Sequence, residues 1–430
     1  MRRPRASLLL VTACAMLSLR SDARAQQPLS LTAAQAEARA RAPEAAELQA
    51  RIAGAEAIAL QAGRVFRDDP TISSNLFRGS LVGHPDESAW DLSFKQPIDI
   101  SGSWKARAGA AAANLARTRF EGEDGLRALD ERVAVAFADV ALVQRQLTRT
   151  DRIVELQRIA AEAARRQLEV GTAPQIDADA AALDLAGALM TLEQTHGDLD
   201  RSRLHLARLL GREIASDLVV EDSPEPAETP PAPQFAALVD RDPRVRAANA
   251  DLETAHFEQQ MFERLVNSPL TFGIDYGRKQ SDIPLGAFTG VPLTGGLKAN
   301  WTDSDLVFSV SVPVPMFNRQ REPRARATAR ILTAEARVRA ARADVRNEME
   351  TAWVAFQTAA RALETVTGTS AIVDRDASFI EQAVRAGQFD ATTRALALRR
   401  IEEAGRRLDA AVRDVRAARA AWLRRASGLP

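Results

Sequence analysis

The first strong pattern in the sequence is a three- and four-residue spacing of apolar positions that continues over unusually long stretches. From about Ser103 to Val170 there is no proline. The apolar side chains of this stretch recur at helical spacing: Leu126, Leu129, Val133, Phe137, Val140 and Val143. The pattern predicts a single helix, which at 1.5 Å per residue would be about 100 Å long. A return helix is predicted from about Gln175 to Leu210.

The second half of the chain repeats this arrangement. Helices are predicted from about Arg324 to Arg385 and from about Thr392 to Arg425. Proline and glycine residues of the first half recur about 216 positions downstream: Pro313 corresponds to Pro97, and Gly387 corresponds to Gly171. The sequence therefore predicts two copies of one unit, residues 26–211 and 235–430, joined by an extended, proline-rich linker at 212–234. Shorter helices open each copy, at Leu31 to Phe66 with a break at Pro43 and at Phe235 to Val266 with a break at Pro243.

Each copy also contains a short segment in which apolar and polar residues alternate, which is typical of β-strands with two different faces. The pattern predicts β-hairpins at 70–98 and 269–315, with Pro97 and Pro313 at the strand-to-helix junctions. Strands of this length can cross a bilayer when tilted. The apolar positions that we expect to face lipid are Trp90, Leu92, Phe94, Phe272, Ile274, Tyr276, Phe308 and Val310. A small soluble sheet packed on the helices is the alternative at this point.

The N-terminus has the form of an export signal. Three arginines precede an apolar run from Ala6 to Leu19, and Ala23 and Ala25 are small residues at the positions that signal peptidase recognises. This pattern predicts a signal peptide over residues 1–25. Val11 to Cys14 also has the form of a lipoprotein cleavage site, which would instead place a lipid anchor on Cys14.

Composition excludes several classes of function. The 57 basic and 57 acidic residues balance, so the overall charge of the chain argues against electrostatic capture of nucleic acid or of an anionic membrane surface. The four lysines all lie in or near the hairpin segments: Lys95, Lys105, Lys279 and Lys298. The four histidines are scattered without metal-ligand spacing, and no phosphate-binding loop or nucleophile motif is present. We therefore predict no enzyme activity, no cofactor and no metal site.

Closure of the sheet is the remaining problem. Four strands are too few for a barrel with a pore, and unpaired strand edges in lipid are very costly. Several identical chains must therefore share one barrel, and cyclic symmetry with three copies would give twelve strands. The predicted fold is mainly α with a transmembrane β part, a trimeric twelve-stranded barrel continued by a periplasmic α-helical barrel.

This organisation resembles the TolC-type outer membrane efflux proteins. The resemblance covers nearly the whole mature chain, and its most specific parts are the helix-hairpin turns around Gly171 and Gly387, at 171–177 and 387–393. It implies a homotrimer in the outer membrane that reaches into the periplasm. The implied activity is passive export in a tripartite system, with a periplasmic adaptor and an inner-membrane pump of the RND or ABC type.

The resemblance also gives the turns a role. In this family they meet the adaptor and narrow the closed aperture, which makes Gly171, Asp177, Asp179, Gly387 and Asp390 the candidate residues. A ring of such acids would favour cations. The acids could equally serve only to complement the dipoles of the helices that they begin. The second turn departs from family members that carry acids further into the return helix, since Thr393 and Leu396 occupy that stretch.

The sequence leaves alternatives for the exported substrate and for the functional class of the protein. The compact outline of the chain is similar to the family branch that works with heavy-metal cation pumps, which favours metal cations over drugs. Few soft ligands are present, so selectivity would belong to the pump and adaptor. The alternative class is a periplasmic coiled-coil adaptor or scaffold without a channel.

Overall fold

The computed structural model describes residues 28–66, 68–79, 87–213, 218–221, 235–264, 270–284, 298–312, 321–385 and 391–426. The elements of the first half are α1 (Leu31–Arg41), α2 (Pro43–Ala62), β1 (Thr71–Gly79), β2 (Glu87–Ile98), α3 (Ser103–Glu169) and α4 (Gln175–Leu210). Those of the second half are α5 (Phe235–Arg241), α6 (Pro243–Arg264), β3 (Leu270–Pro284), β4 (Lys298–Ser311), α7 (Arg321–Arg385) and α8 (Ala391–Ala426). The predicted order of helices and strands in both halves is confirmed.

Several predicted features lie outside the described residues. These are the signal peptide with Cys14, the junction at Pro313, most of the linker, and the second turn with Gly387 and Asp390. Residues 285–297, between β3 and β4, are also outside them.

Local sequence explains where the described helices begin and end. Ser30 precedes α1, and its hydroxyl accepts a hydrogen bond from the amide of Ala33 at 3.3 Å. Pro43 occupies the first position of α2, where a missing amide hydrogen costs nothing. Gly211 ends α4 in the left-handed conformation, with φ of 71°. In the described ranges, none of the helices is both long and apolar enough to cross a membrane.

The chain divides into two compact units, and each takes segments from both halves of the sequence. Unit 1 consists of Met1–Leu48, Gly125–Leu238 and Arg346–Pro430. Unit 2 consists of Gln49–Asp124 and Val239–Val345 and contains all four strands. Segments far apart in sequence are therefore packed together inside each unit.

The core of unit 1 shows the internal repeat in three dimensions. Val133, Phe137 and Val140 of α3 are buried, as is Leu206 of α4. The residues about 216 positions later are also buried: Met349, Trp353, Phe356 and Trp422. Trp353 and Trp422 pack with ring centroids 5.0 Å apart, and Phe235 meets Trp422 edge-on at 6.3 Å. The second copy thus keeps the apolar positions of the first, and three of these four positions carry aromatic rings in the second copy against one in the first.

The start of the predicted linker packs on unit 1. Leu29 and Val220 form a parallel β-bridge, in which the Leu29 amide donates to the Val219 carbonyl at 2.8 Å. The Val220 amide donates to the side chain of Gln144 at 3.2 Å. Leu218 and Val220 are buried. Residues 218–221 of the linker are therefore extended and contribute to the core of unit 1.

Candidate functional site

The four strands of unit 2 form one antiparallel sheet in the order β1-β2-β3-β4. The register places Ile72, Phe94, Ile274 and Phe308 in a single row across all four strands. The neighbouring row on the same face contains Leu92, Tyr276 and Leu306. Directly paired residues of an antiparallel sheet share a face. All eight of the predicted lipid-facing side chains therefore lie on one side of this sheet.

The apolar face of this sheet is exposed rather than buried. On the apolar face Phe308 is 72% exposed and Phe94 is 41% exposed. On the polar face Ser93, in the middle of the sheet, is 4% exposed, whereas Val307 on the outer strand is 47% exposed. The apolar side chains do not form a core with the helices, so the arrangement disagrees with the alternative of a small soluble sheet packed on them.

Hydrogen bonds between side chains tie the polar face together. The Asp275 carboxylate accepts hydrogen bonds from the hydroxyl of Ser93 and from that of Ser309, the latter at 3.3 Å. Asn75 donates to Asp91 at 2.9 Å. Acceptors and donors on this face satisfy one another across three strand pairs, which is the expected lining of a polar interior.

The outer strands of the sheet have open sides. Among the described residues, β1 pairs with β2 alone and β4 pairs with β3 alone. An unpaired strand edge exposes backbone amide and carbonyl groups, which is costly wherever water is excluded. This sheet needs further strands at both sides if its apolar face is in lipid.

The connection from β2 to α3 is fixed by a carboxylate that the sequence analysis missed. Asp99 accepts hydrogen bonds from the amide and hydroxyl of Ser101, at 2.9 and 2.6 Å, and from the hydroxyl of Ser103. Burial alone would raise the pKa of Asp99, but these hydrogen bonds and nearby Arg107 hold it below its ordinary value of 3.8. The spacing Asp-x-Ser-x-Ser at the start of a predicted helix is the sequence signal that could have identified this carboxylate. Pro97, predicted at this junction, is inside β2 opposite Thr271.

Two helix-hairpin tips were predicted, and the turn between α3 and α4 is the one that lies within the described residues. Gly171 has φ of +72°, a conformation that glycine adopts without strain. Its amide donates to the Leu168 carbonyl at 3.0 Å, and the Thr172 amide donates to the Gln167 carbonyl at 2.9 Å. These bonds satisfy the last carbonyl groups of α3 and reverse the chain.

The two acids of this tip are exposed at the start of α4. Asp177 is in the first helical turn, and Pro174 before it offers no side-chain cap. Asp179 accepts a hydrogen bond from the side chain of Gln175 at 3.1 Å. The negative charge of Asp177 is favourable beside the positive end of the helix dipole. Both carboxylates are also open to any cation or protein that approaches the tip.

An apolar stripe along α4 was also missed in the sequence analysis. It consists of exposed side chains at intervals of seven residues, and Gly197 is the one position of the series without an apolar side chain. The members are Ile176, Leu183, Met190 and Leu204. Their exposed fractions range from 60% to 73%. A seven-residue period is typical of a helix that packs along another helix. The signal was present in the sequence but was obscured by the many alanines of α4.

No metal-binding group is found within the part of the chain that the structure describes, since no three His, Cys, Asp or Glu side chains there could hold an ion together.

The chain thus combines an exposed apolar sheet with helices of 67 and 65 residues. Residues 19–212 match the family described as outer membrane efflux protein. The resemblance inferred from the sequence is confirmed by this match. The family and the similar structures are membrane channel proteins rather than enzymes.

Solved structures share the fold over more than nine tenths of the chain. A membrane protein from Pseudomonas aeruginosa is 16% identical with a TM-score of 0.72, over 92% of this chain and 93% of that one. The outer membrane protein VceC from Vibrio cholerae is 16% identical with a TM-score of 0.67, over 92% and 95%. The open MtrE outer membrane channel of Neisseria gonorrhoeae is 17% identical with a TM-score of 0.67, over 93% and 88%. The comparison with curated protein sequences gives no match.

Proposed function

We propose that this chain is one subunit of a homotrimeric outer membrane channel, the passive exit duct of a tripartite efflux system. In this proposal an inner-membrane pump of the RND or ABC type delivers substrates through a periplasmic adaptor. The observation that carries the proposal is the sheet whose apolar side chains lie together on one exposed face.

Lipid is the medium that fits the apolar face. Phe94, Ile274 and Phe308 stand side by side in one row and are all more than 40% exposed. Apolar surface left in water costs about 25 cal/mol per Å², whereas the same surface in hydrocarbon costs nothing. The opposite face, with Asp275 and its serine partners, then lines a water-filled interior.

The open edges of β1 and β4 support a trimer. If β4 of one subunit pairs with β1 of the next, every strand gains two neighbours and no edge is left in lipid. Three subunits close twelve strands under cyclic symmetry. The stripe of Ile176, Leu183, Met190 and Leu204 gives α4 an apolar face for a helix of the neighbouring subunit.

The helices supply the tunnel and the docking end. α3 has 67 residues and would be about 100 Å long at 1.5 Å per residue, enough to extend far from the membrane. Its tip, with Gly171, Asp177 and Asp179, is proposed to meet the adaptor and to narrow the aperture, together with Gly387 and Asp390 of the second copy. Exposed acids at a constriction favour cations. Export of heavy-metal cations stays a prediction of the sequence alone.

The proposal is tested by single-channel conductance of the detergent-purified protein in a planar bilayer, after its mass is measured. We expect a trimer with a small, cation-selective conductance that rises when Asp177 and Asp390 are replaced by alanine. Replacement of Asp184, also on α4 but beyond its first turns, is the matched control and should leave the conductance unchanged. A water-soluble monomer that never inserts would contradict the channel and favour the periplasmic scaffold.

A further inference from the structure

Exposed apolar and basic side chains gather at the helical end of the sheet in unit 2. Phe66 is 62% exposed and Ile100 is 61% exposed, and Trp104 follows Ile100 closely in sequence, at the start of α3. Three basic residues accompany them. We call this group the collar: Arg64, Phe66, Ile100, Trp104, Lys105 and Arg264.

Backbone contacts hold the collar together. Arg107 of α3 donates to the carbonyl of Arg64 at 3.1 Å, which joins the end of α2 to α3. Arg264, the last residue of α6, donates to the carbonyl of Gly102 at 3.0 Å, and the Lys105 amide donates to the same carbonyl at 3.2 Å. The three basic residues are thus brought to the connection between β2 and α3.

The three basic side chains of the collar form no ion pair with the described residues. No carboxylate of the described residues lies within ion-pair distance of Arg64, Lys105 or Arg264, whereas Arg107 is engaged by Asp99 at 3.5 Å. Asp68, Asp69 and Glu263 are exposed acids of the same region, and none of them forms an ion pair with these three. The Lys105 ammonium lies 5.3 Å from the centre of the Trp104 ring.

We propose that the collar binds anionic phospholipid headgroups at the membrane surface from which the helices emerge. This inference rests on the proposed function, since it needs the sheet to be in a bilayer. Ile98 pairs with Leu270 at the end of the apolar face, and Ile100 follows two residues later, so apolar surface continues from the sheet to the collar. Aromatic and basic side chains together are typical of the interface between hydrocarbon and water.

Charge selects the kind of lipid. Basic side chains close to a membrane surface attract anionic headgroups, and each contributes on the order of a fivefold preference. Arg64 and Arg264 present planar donor groups that suit a phosphodiester, and Lys105 adds a point charge. A zwitterionic headgroup such as phosphatidylcholine offers no net charge, so the collar should discriminate between the two classes.

The test measures how the full-length protein selects lipids in vesicles made of equal amounts of phosphatidylcholine and phosphatidylglycerol. Electron spin resonance with spin-labelled lipids gives the association of each lipid with the protein. We expect a preference for phosphatidylglycerol that falls by about fivefold or more in the triple variant Arg64→Gln, Lys105→Gln, Arg264→Gln. The single variant Lys105→Glu should lower it as well, and any effect of the triple variant on folding is checked by trimer yield.

The matched control removes three exposed arginines of unit 1 by the changes Arg361→Gln, Arg399→Gln and Arg400→Gln, which should leave the preference intact. An equal preference in wild type and collar variants, or none in wild type, would overturn the collar assignment while channel insertion and conductance stand. Failure of the wild-type protein to float with the vesicles would instead overturn the membrane assignment, and the collar with it.

Discussion

Arg149 of α3 and Asp409 of α8 form an ion pair at 2.6 Å in unit 1, in which the Asp409 side chain is only 3% exposed. The two residues are 260 positions apart and come from different repeats. Two further pairs connect the same helices, Arg413 with Asp139 and Arg424 with Glu131, each at 2.9 Å. Charge as well as apolar packing therefore binds the second copy to the first.

Removal of the Asp409 carboxylate should destabilise the protein. In Asp409→Ala the Arg149 guanidinium is left without this partner, although it keeps some access to water because its side chain is 21% exposed. We expect a loss of about 2–3 kcal/mol, less than for a fully buried pair. Urea unfolding followed by circular dichroism measures it. Glu169→Gln, which breaks the exposed pair with Arg165, is the control and should change stability by less than about 0.5 kcal/mol.

Gly405→Ala tests the same contact through packing. A Cβ atom at position 405 would lie 2.4 Å from Nε of Arg149, so the guanidinium must move away from Asp409. Alanine normally stabilises a helix interior by about 1 kcal/mol relative to glycine. We expect the opposite sign here. The control is Gly187→Ala on α4, where a Cβ would meet nothing within 4 Å, and which should raise the midpoint of thermal unfolding. A rise in both variants would show that Arg149 relocates freely.

The Glu37 and Arg212 pair should make stability depend on pH. Arg212 donates to both carboxylate oxygens of Glu37, at 2.8 and 2.6 Å, and this hydrogen bonding holds the pKa of Glu37 below its ordinary value of 4.5. A carboxylate with a lowered folded-state pKa stabilises the fold above its unfolded pKa, and that contribution is lost as pH falls through the folded value.

Glu37→Gln should therefore cost about 1–2 kcal/mol at neutral pH. The difference from wild type should shrink once the pH falls below 4.5, the ordinary pKa of Glu37. Unfolding midpoints measured from neutral pH to acid test this, with Glu403→Gln of the exposed pair with Arg407 as the control. A difference that stays constant across this range would mean that Arg212 does not hold the carboxylate ionised.

Neighbouring residues of β4 give a sharp test of the membrane face. Phe308 shares the apolar face with Phe94 and Ile274, whereas Val307 pairs with Asp275 on the polar face. Phe308→Arg and Phe94→Arg should impair outer-membrane assembly, since an arginine facing the bilayer midplane costs about 2–4 kcal/mol. Val307→Arg should assemble normally. Trimer yield from outer-membrane fractions is the measurement, and normal yield of all three variants would contradict a lipid-facing sheet.

The sequence by itself determined the elements and their order. Local spacing of apolar residues is sufficient to predict α3 and α7 to within a few residues of their bounds, because a helix depends on neighbours three and four positions away. Strict alternation predicted which side chains of β2, β3 and β4 share a face. The repeat of Pro97 and Gly171 at Pro313 and Gly387 indicated the family resemblance.

The tertiary structure determined which residues far apart in the sequence come into contact. The pairing of β2 with β3, the contact of Arg149 with Asp409 and the gathering of Arg264 near Lys105 join residues more than 150 positions apart. No local pattern specifies such partners, since any arginine of these helices could satisfy any acid by composition alone. Exposure was also decided there, because alternation gives two faces of a strand but cannot tell which one is enclosed.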